Sequence, residues 1–472
     1  MFGFCLILLN AACAQVVYES GLPAYWNGGE PWVSVFVPPI PDRQRLIEED
    51  LEEAGLNRPF RFAQAVPVKL NSKTAGRWDG DTWFCEVYAP GAVCLAFVFD
   101  RFELPPGGRF FAYTPERDFV RGPFTWRNNY EHFAIAPLPG DRVYLEYTGP
   151  APSFNIRSVS YGYKNVFFSR SGNKSFGDSG PCQVNTVCPL AADWQDEKRG
   201  VALLLTDGMT RICSSSLINN VRQDGRAYVL TADHCLDGNV PTWAAMFNYE
   251  SPTCSPNQDG PTDQIVQGAA LRARLSDSDM ALVEFNDRPQ NFYQVYFNGW
   301  NRQDIPSPNA TVIHHPAGDV KKISFDYHPV VSSDYFGANP PNSHWKVVNY
   351  EVASTEPGSS GSPLFDHQSR IIGQLHGGES WCDVQEADEY GKFSYSWATY
   401  PQPERQLKFW LDPDNTGVST LDGAYIAPQP VVQFSASQNQ AVLYTGCVPP
   451  SITFVDESEG IANPTTYTWE FP

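Results

Sequence analysis

The sequence predicts an all-β protein in three parts: a β-rich N-terminal domain, a pair of β-barrels and a partial sandwich at the end. Three observations predict it. The 472 residues are 14% aromatic and include 40 prolines, a loop-rich composition that suits strands better than helices. Short apolar or alternating runs recur along the chain, with Gly, Pro, Asn and Asp turns between them. The length is enough for about three domains.

Residues 1–14 read as a secretory signal. Phe2 to Leu9 is an apolar core, and Ala12-Cys13-Ala14 fits the small-x-small cleavage rule. The basic segment that normally precedes such a core is missing, so the natural start is expected upstream. A lipobox ending at Cys13 fits poorly, because Asn10 stands where Leu is wanted. No other run approaches the roughly twenty apolar residues that span a bilayer. A secreted, soluble mature chain with no membrane partner is expected.

Residues 15–174 read as a separate domain. A helix is predicted over Asp42 to Glu53, with Asp42 capping its start. Alternating segments follow at Trp83 to Tyr88, Ala92 to Phe99, Arg109 to Tyr113 and Arg142 to Tyr147. Pro-Pro-Gly-Gly and Pro-Gly-Asp turns separate them, which predicts a small sandwich. Its one histidine, His132, reads as a packed or surface residue.

Residues 175–423 are predicted to hold the barrels. Strands are legible at Val201 to Thr206, Arg226 to Leu230, Met280 to Phe285, Thr311 to His314 and Ile371 to Leu375. A terminal helix is predicted near Gln406 to Leu411, stopped by Asp412-Pro413. Residues 424–472 begin with a Pro/Gln/Ser-rich linker. Val431 to Phe434, Ser451 to Phe454 and Tyr467 to Phe471 then read as strands of an immunoglobulin-like sandwich. The pattern resembles the start of a polycystic-kidney-disease-type (PKD) domain. It is shorter than such a domain, so the chain is expected to continue and Cys447 to find its partner there.

Charge and cysteine narrow the chemistry. A net charge of −20 argues against nucleic acid and anionic membranes and tolerates cationic substrates. Of eleven cysteines, Cys5 and Cys13 lie in the signal, Cys85 and Cys94 in the N-terminal domain and Cys447 near the end. The other six fall in residues 175–423, an even set that predicts three disulfides and an oxidising compartment. No C-x-x-C pair occurs, so neither a metal nor another cofactor is predicted.

Three stretches carry candidate chemistry. In Thr355 to Pro363, Ser360 lies in a Gly-x-Ser-Gly turn, and the glycines let backbone approach a substrate carbonyl closely. The N–H groups of Gly358 and Ser360 are expected to face the oxygen that becomes negative in acyl transfer. Thr231-Ala232-Asp233-His234-Cys235 follows a strand-like run and supplies a candidate base, His234. Asp279, at the mouth of Met280 to Phe285, supplies an orienting carboxylate. A lone histidine is more often structural; the chain order His, Asp, Ser raises the catalytic reading, because it is that of chymotrypsin-type barrels. His314 and His315 are adjacent, hence on opposite faces of a strand, and predict a structural role.

The resemblance then becomes specific. Cys182 to Pro189, Tyr228 to Cys235, Gly299 to Arg302, Ile313 to Pro316, Thr355 to Pro363, Gly373 to Gly378 and Trp410 to Pro413 resemble lysyl endopeptidases, bacterial trypsin-like proteases that cut after lysine. The resemblance covers residues 175–423 and, more loosely, the preceding region, where that family carries a propeptide. It implies a chymotrypsin-like double β-barrel with His234 as base, Asp279 as its partner and Ser360 as nucleophile. It places Asp388 at the base of a lysine pocket, with Asp383 and Glu386 as competitors. The position six residues before the nucleophile, where trypsin-like enzymes hold this acid, is Ser354. Substrate is implied to run past His376, Gly377 and Gly378. His376 would join a ring stack with the catalytic histidine, with Tyr335, Phe336 or Trp381 as the third ring. The implied disulfides are Cys182–Cys382, Cys188–Cys254 and Cys213–Cys235.

The neighbour of the nucleophile is Ser359, which cannot pair with a freed N-terminal amine. The N-terminal region is therefore expected to act as folding aid and inhibitor, removed by a cut after Lys174, with Arg170 the alternative. The function expected is a secreted serine endopeptidase acting on peptide bonds after lysine. The alternatives are cleavage after both arginine and lysine, and a catalytically silent barrel that binds matrix or glycan.

Overall fold

The computed structural model describes residues 21–28, 34–53, 58–164, 179–236, 239–255, 257–384, 386–426, 434–438 and 452–456. The signal segment, Cys5, Cys13, Arg170, Lys174, Ser175, Cys447 and the run Tyr467 to Phe471 lie outside them.

The N-terminal domain is two packed sheets preceded by a helix, Arg43–Glu53. Asp42 caps that helix, its Oδ1 accepting the N–H groups of Gln44 and Arg45 at 3.0 and 3.3 Å. One sheet centres on Thr82–Tyr88, Arg142–Thr148 and Arg109–Tyr113. The other runs in the order Ala63–Asn71, Ser153–Gly162, Cys94–Glu103, Phe133–Pro139. Trp83, Phe97, Phe99, Phe110, Leu145 and Ile156 fill the space between the sheets. The period of two in the sequence sets the rest. Leu95, Phe97 and Phe99 face the sandwich core, while Ala96 and Val98 face away from it and are also buried.

The two barrels follow. The first sheet runs Ile265–Gln267, Ala244–Phe247, Val201–Thr206, Arg211–Leu217, Tyr228–Ala232, Met280–Phe285, Ala269–Leu275. The second includes Lys322–Asp326, Ala310–His314, Pro363–Phe365, Ile371–Gly378, Asp388–Lys392 and His344–Val347. Tyr228, Leu230 and Leu282 of the first pack with Ile313, Ile323 and Ile371 of the second in one apolar cluster. This is the chymotrypsin-like double barrel that the resemblance implied.

One expectation is corrected. The terminal helix is a single turn, Lys408–Leu411, not a run from Gln406. Gln406 is extended, with its side chain bound to Pro401 O, and Leu407 and Leu411 are buried under the barrels. A helix that the pattern did not announce, Phe393–Ala398, precedes it and buries Phe393 and Trp397 against Trp300. At the C-terminus, the described residues form a two-stranded antiparallel ribbon, Phe434–Gln438 with Ile452–Asp456. Of the predicted runs Val431 to Phe434 and Ser451 to Phe454, residues 431–433 and 451 lie outside the described residues, and Phe434 and 452–454 lie in these two strands.

Candidate active site

His234 sits in the turn Asp233–Cys235 that closes the strand Tyr228–Ala232. The turn is pinned on three sides. Arg274 binds the Asp233 carboxylate at 2.8 and 2.9 Å, Asp233 N–H donates to Asp279 O, and Cys235 is bonded to Cys213 with 6.5 Å between Cα atoms. Asp279 follows the turn Ser276–Ser278 in left-handed backbone, φ 50°, and is 3% exposed. Its Oδ1 accepts the His234 backbone N–H at 2.8 Å and its Oδ2 lies 2.7 Å from His234 Nδ1. Burial raises the Asp279 carboxyl above its usual range, and His234 pulls it back down. The pairing fixes Nδ1 as the protonated nitrogen, which leaves Nε2 to accept. Nε2 is buried and makes no hydrogen bond in this conformation.

Ser360 lies in a turn that only glycine permits at two positions. Gly358 has φ 100°, and a Cβ there would come within 2.9 Å of His315 O. Gly361 has φ 80°, and its Cβ would strike Ser214 O at 2.6 Å and Ala232 N at 2.8 Å. The Ser360 loop is thus laid against the strand that leads to His234. Ser214 N–H donates to Ser360 O, and Gly361 N–H donates to Leu375 O, both at 2.8 Å. The N–H groups of Gly358 and Ser360 make no backbone hydrogen bond among the described residues.

A buried chain of hydrogen bonds holds the same loop. Glu356 N–H donates to Ser359 Oγ at 3.2 Å, Ser359 Oγ lies 2.7 Å from His314 Nδ1, and His314 Nε2 lies 3.1 Å from Ser324 Oγ. Ser324 Oγ donates on to Ser354 O at 3.0 Å. One direction of donation satisfies every link, with His314 protonated on Nε2 only. Burial pushes His314 down to about 3, so it stays neutral. His315 points the other way, stacking on Tyr249 and donating to Asp319 O. Ser214 Oγ donates to Gly358 O at 2.9 Å and fixes the loop's other end.

The ring stack is built from His376 and Tyr335. Their centroids are 3.4 Å apart with 9° between planes, and His376 lies 6.0 Å from His234 at 24°. Phe336 and Trp381, the other candidate rings, are about half exposed. His376 Nε2 is 3.8 Å from Asp279 Oδ2. Its Nδ1 is 2.9 Å from His344 Nε2, and His344 Nδ1 is 2.7 Å from Ser343 Oγ. Burial pushes His376 down to about 2 and His344 to about 4.

A cavity of about 630 Å³ opens beside Ser360, lined by Thr355, Leu375, His376, Gly377, Gly378 and Ser380. Asp388 stands behind Thr355 and Ser380 of that lining. It is fully buried, and its Oδ2 accepts the hydroxyls of Thr355 at 2.6 Å and Ser380 at 2.7 Å. Burial raises its carboxyl, and those hydroxyls lower it. A side chain at Gly378 would collide with Asp388, so only glycine lets the cavity wall lie this close. Asp383 and Glu386 are exposed, and Ser354 is buried beside Gln183. The other disulfides are Cys182–Cys382 and Cys188–Cys254, with Cα atoms 5.3 and 4.7 Å apart. The first ties the chain after residue 179 to the loop beside the cavity.

Sequence reasoning missed Ser343 and His344 behind His376, Thr355 and Ser380 on Asp388, and the bond of His314 to Ser359. His344 is 32 residues from His376, and no local spacing links them. Thr355 was within reach, as the neighbour of the position searched for an acid.

The family profile described as Lysyl endopeptidase, C-terminal domain, matches residues 176–394. A curated relative, Lysyl endopeptidase of Pseudomonas aeruginosa, is 26% identical over 293 residues, covering 57% of this chain and 62% of its own length. The chain therefore spans a little under two thirds of that relative. Among solved structures, a thermostable serine protease AL20 from an extremophilic microorganism is 12% identical over 42% of this chain and 92% of its own, with a TM-score of 0.30. The MamO protease domain from Magnetospirillum magneticum is 13% identical over 42% of this chain and 94% of its own, with a TM-score of 0.29.

Proposed function

We propose that residues 176–394, which belong to the lysyl endopeptidase C-terminal domain family, make this chain a secreted serine endopeptidase that hydrolyses peptide bonds on the carboxyl side of lysine. The observation that carries the reading is the pair of hydrogen bonds between Asp279 and His234, at 2.8 and 2.7 Å, beside a serine turn laid on the same strand. A merely structural histidine needs no buried carboxylate on its Nδ1.

In this mechanism Ser360 Oγ attacks the scissile carbonyl while His234 Nε2 takes its proton. That bond closes when substrate settles in the cleft, a tightening common to such sites. The N–H groups of Gly358 and Ser360 meet the oxyanion. The tetrahedral intermediate collapses to an acyl-enzyme as His234 returns the proton to the leaving amine. Water then attacks the ester by the same route, and Ser360 is restored. Asp279 keeps the imidazole in one tautomer and balances the imidazolium.

The substrate lysine enters beside Gly377 and Gly378. Its ammonium meets the oxygens of Thr355 and Ser380, whose protons are committed to Asp388. The carboxylate supplies the charge, and the hydroxyls are oriented as acceptors. A compact ammonium suits two such oxygens better than a planar guanidinium does. The N-terminal domain acts as intramolecular inhibitor until a cut after Lys174, or after Arg170, divides the chain. The C-terminal ribbon is read as part of a PKD-type domain.

An active-site fluorophosphonate tests the reading directly. It should label the chain on Ser360, and Ser360→Ala should abolish both label and turnover. Paired lysyl and arginyl peptide substrates then test the pocket. Equal turnover of the two would replace lysine specificity by the broader trypsin-like reading, and absence of label in every form would leave only a binding role.

A further inference from the structure

The Asp279 carboxylate is buried, and burial works against its charge. His234 supplies two donors, its backbone N–H to Oδ1 and its ring to Oδ2. His376 Nε2 also faces Oδ2, at 3.8 Å. That is longer than a hydrogen bond, yet close enough for the polarity of the ring edge to matter. With a proton on Nε2, His376 turns a positive N–H edge toward the carboxylate. Without one it turns a lone pair, which the carboxylate repels. The tautomer of His376 therefore bears on how well Asp279 stays ionised beside His234.

What sets that tautomer lies behind the ring. His376 Nδ1 is 2.9 Å from His344 Nε2, and His344 Nδ1 is 2.7 Å from Ser343 Oγ. Ser343 and His344 are fully buried. Burial keeps both imidazoles neutral. Asp334 opposes it at His344 and Lys392 adds to it; at His376, His344 and His234 add to it. A neutral ring carries one proton, so only two arrangements keep both hydrogen bonds. In the first, Ser343 donates to His344 Nδ1, His344 Nε2 donates to His376 Nδ1, and the His376 proton sits on Nε2 toward Asp279. In the second, every donor is reversed, and His376 turns its lone pair on the carboxylate. The charge of Asp279 selects the first. The ring has no freedom to turn away. Tyr335 stacks on it at 3.4 Å, from a turn in which Tyr335 and Phe336 both have left-handed backbone, φ 53° and 55°. Bulky residues rarely adopt that conformation, and the fold holds it here. Gly337 N–H donates to Asp334 Oδ1 and Ala338 N–H to Tyr335 O, both at 2.9 Å.

We propose that His344, backed by Ser343, is a positioning residue for the reaction: it donates to His376 Nδ1, keeps that ring protonated on Nε2 and so gives the Asp279 carboxylate a third N–H to face. This rests on the reading of Asp279 and His234 as orienting acid and base. His344 acts through His376, which carries its effect to the carboxylate. The sheet makes the reach possible, because the strands His344–Val347 and Ile371–Gly378 flank Asp388–Lys392 and present the two rings across it.

The test reads the tautomer and the kinetics separately. The full chain has eight histidines, few enough for nitrogen-15 labelling of their rings, with the His376 signals identified by their loss in His376→Gln. In the native sequence His376 should be protonated on Nε2 and bare on Nδ1. In His344→Leu, which removes the donor, the Nδ1-protonated form should appear. Turnover of a lysyl anilide by the activated His344→Leu enzyme should fall ~10 to 10²-fold in kcat with KM nearly unchanged, part of what a well-held base contributes. His344→Gln places an amide N–H where Nε2 stood, so it should keep the tautomer and recover most of the loss. A native His376 protonated on Nδ1 overturns the proposal, and it is read without any variant, so a His344→Leu chain that does not fold offers no shelter. A folded His344→Leu with native kcat overturns it too, as does an equal loss in the Leu and Gln variants with the tautomer kept. Fluorophosphonate labelling of Ser360 in the native chain separates the two readings. No label sinks the protease reading, whereas label beside an Nδ1-protonated His376 sinks this proposal alone.

Discussion

Replacing Asp279 by Asn removes one proton acceptor and adds two donors at a site with no room to adjust. The carboxylate has two fixed tasks, accepting the His234 backbone N–H at 2.8 Å and facing Nδ1 at 2.7 Å. An amide has only one oxygen. With its NH₂ toward the ring, Nδ1 must lose its proton, Nε2 must carry one, and His234 can no longer accept from Ser360. With the amide flipped, the NH₂ faces a backbone N–H, and two donors oppose each other in a buried site. That costs about 1–3 kcal/mol. The imidazolium of the transition state also loses its counter-charge, worth about 4 kcal/mol at this spacing with an effective dielectric near 20. Together these give about 5–7 kcal/mol, a fall of ~10⁴ to 10⁵-fold in kcat/KM. The assay is turnover of a lysyl anilide by the activated enzyme, with a thermal melt to establish that the variant is folded. A folded Asp279→Asn within tenfold of the parent, beside a dead Ser360→Ala, would refute the assignment of base and orienting acid.

Other outcomes follow from the same geometry. Asp388→Asn should lower kcat/KM on lysyl substrates by ~10² or more, as for a desolvated charge partner lost, while fluorophosphonate labelling of Ser360 continues; an unchanged preference between lysyl and arginyl substrates removes Asp388 from the pocket. His314→Ala should lower kcat by ~10 to 10²-fold with little change in KM, because it loosens the oxyanion loop rather than the pocket; steady-state kinetics separate the two. Burial holds His314, His344 and His376 at about 3, 4 and 2 when folded. Unfolded, they bind protons from about pH 6.5 downward. Their stabilisation is thus complete above pH 6.5 and is lost as pH falls toward 4, at about 1.4 kcal/mol per pH unit per group. Denaturant melts across that range should show the slope, and His344→Gln should make it shallower by about one proton. Burial raises the thiols of Cys85 and Cys94 to about 12, so a thiol reagent should find them only after unfolding.

The proposed trio of His234, Asp279 and Ser360 was legible because each member sits in a local context that the backbone demands. Glycines at 358 and 361 announce a turn with φ of 100° and 80°, and an acid at the start of an apolar run announces a strand mouth. Strand positions were legible for the same reason: Val201–Thr206, Met280–Phe285 and Arg109–Tyr113 fall at the residues the alternation marks. What stayed hidden is what depends on distant chain meeting. His344 reaches His376 only because the strands His344–Val347 and Ile371–Gly378 both pair with Asp388–Lys392. Thr355 and Ser380 become one pocket floor through a shared carboxylate. The run Val201–Thr206 reads simply as an apolar strand, and nothing in it says that two of its five apolar residues, Leu203 and Leu205, pack against another domain.

On the reading proposed above, the loop at Ser360 needs no freed amine to assemble it. In enzymes where a freed amine builds the oxyanion loop, the uncut chain is silent because the loop is unmade. Here Ser359 is engaged by a neutral, buried His314, and Gly358 by Ser214. Both bonds are internal to the barrels and indifferent to where the chain is cut. On the proposed reading of the N-terminal domain as an inhibitor, a loop assembled in advance leaves steric exclusion as the means of restraint, and Phe60–Arg61, paired with the strand next to Ser360, is the segment that would provide it.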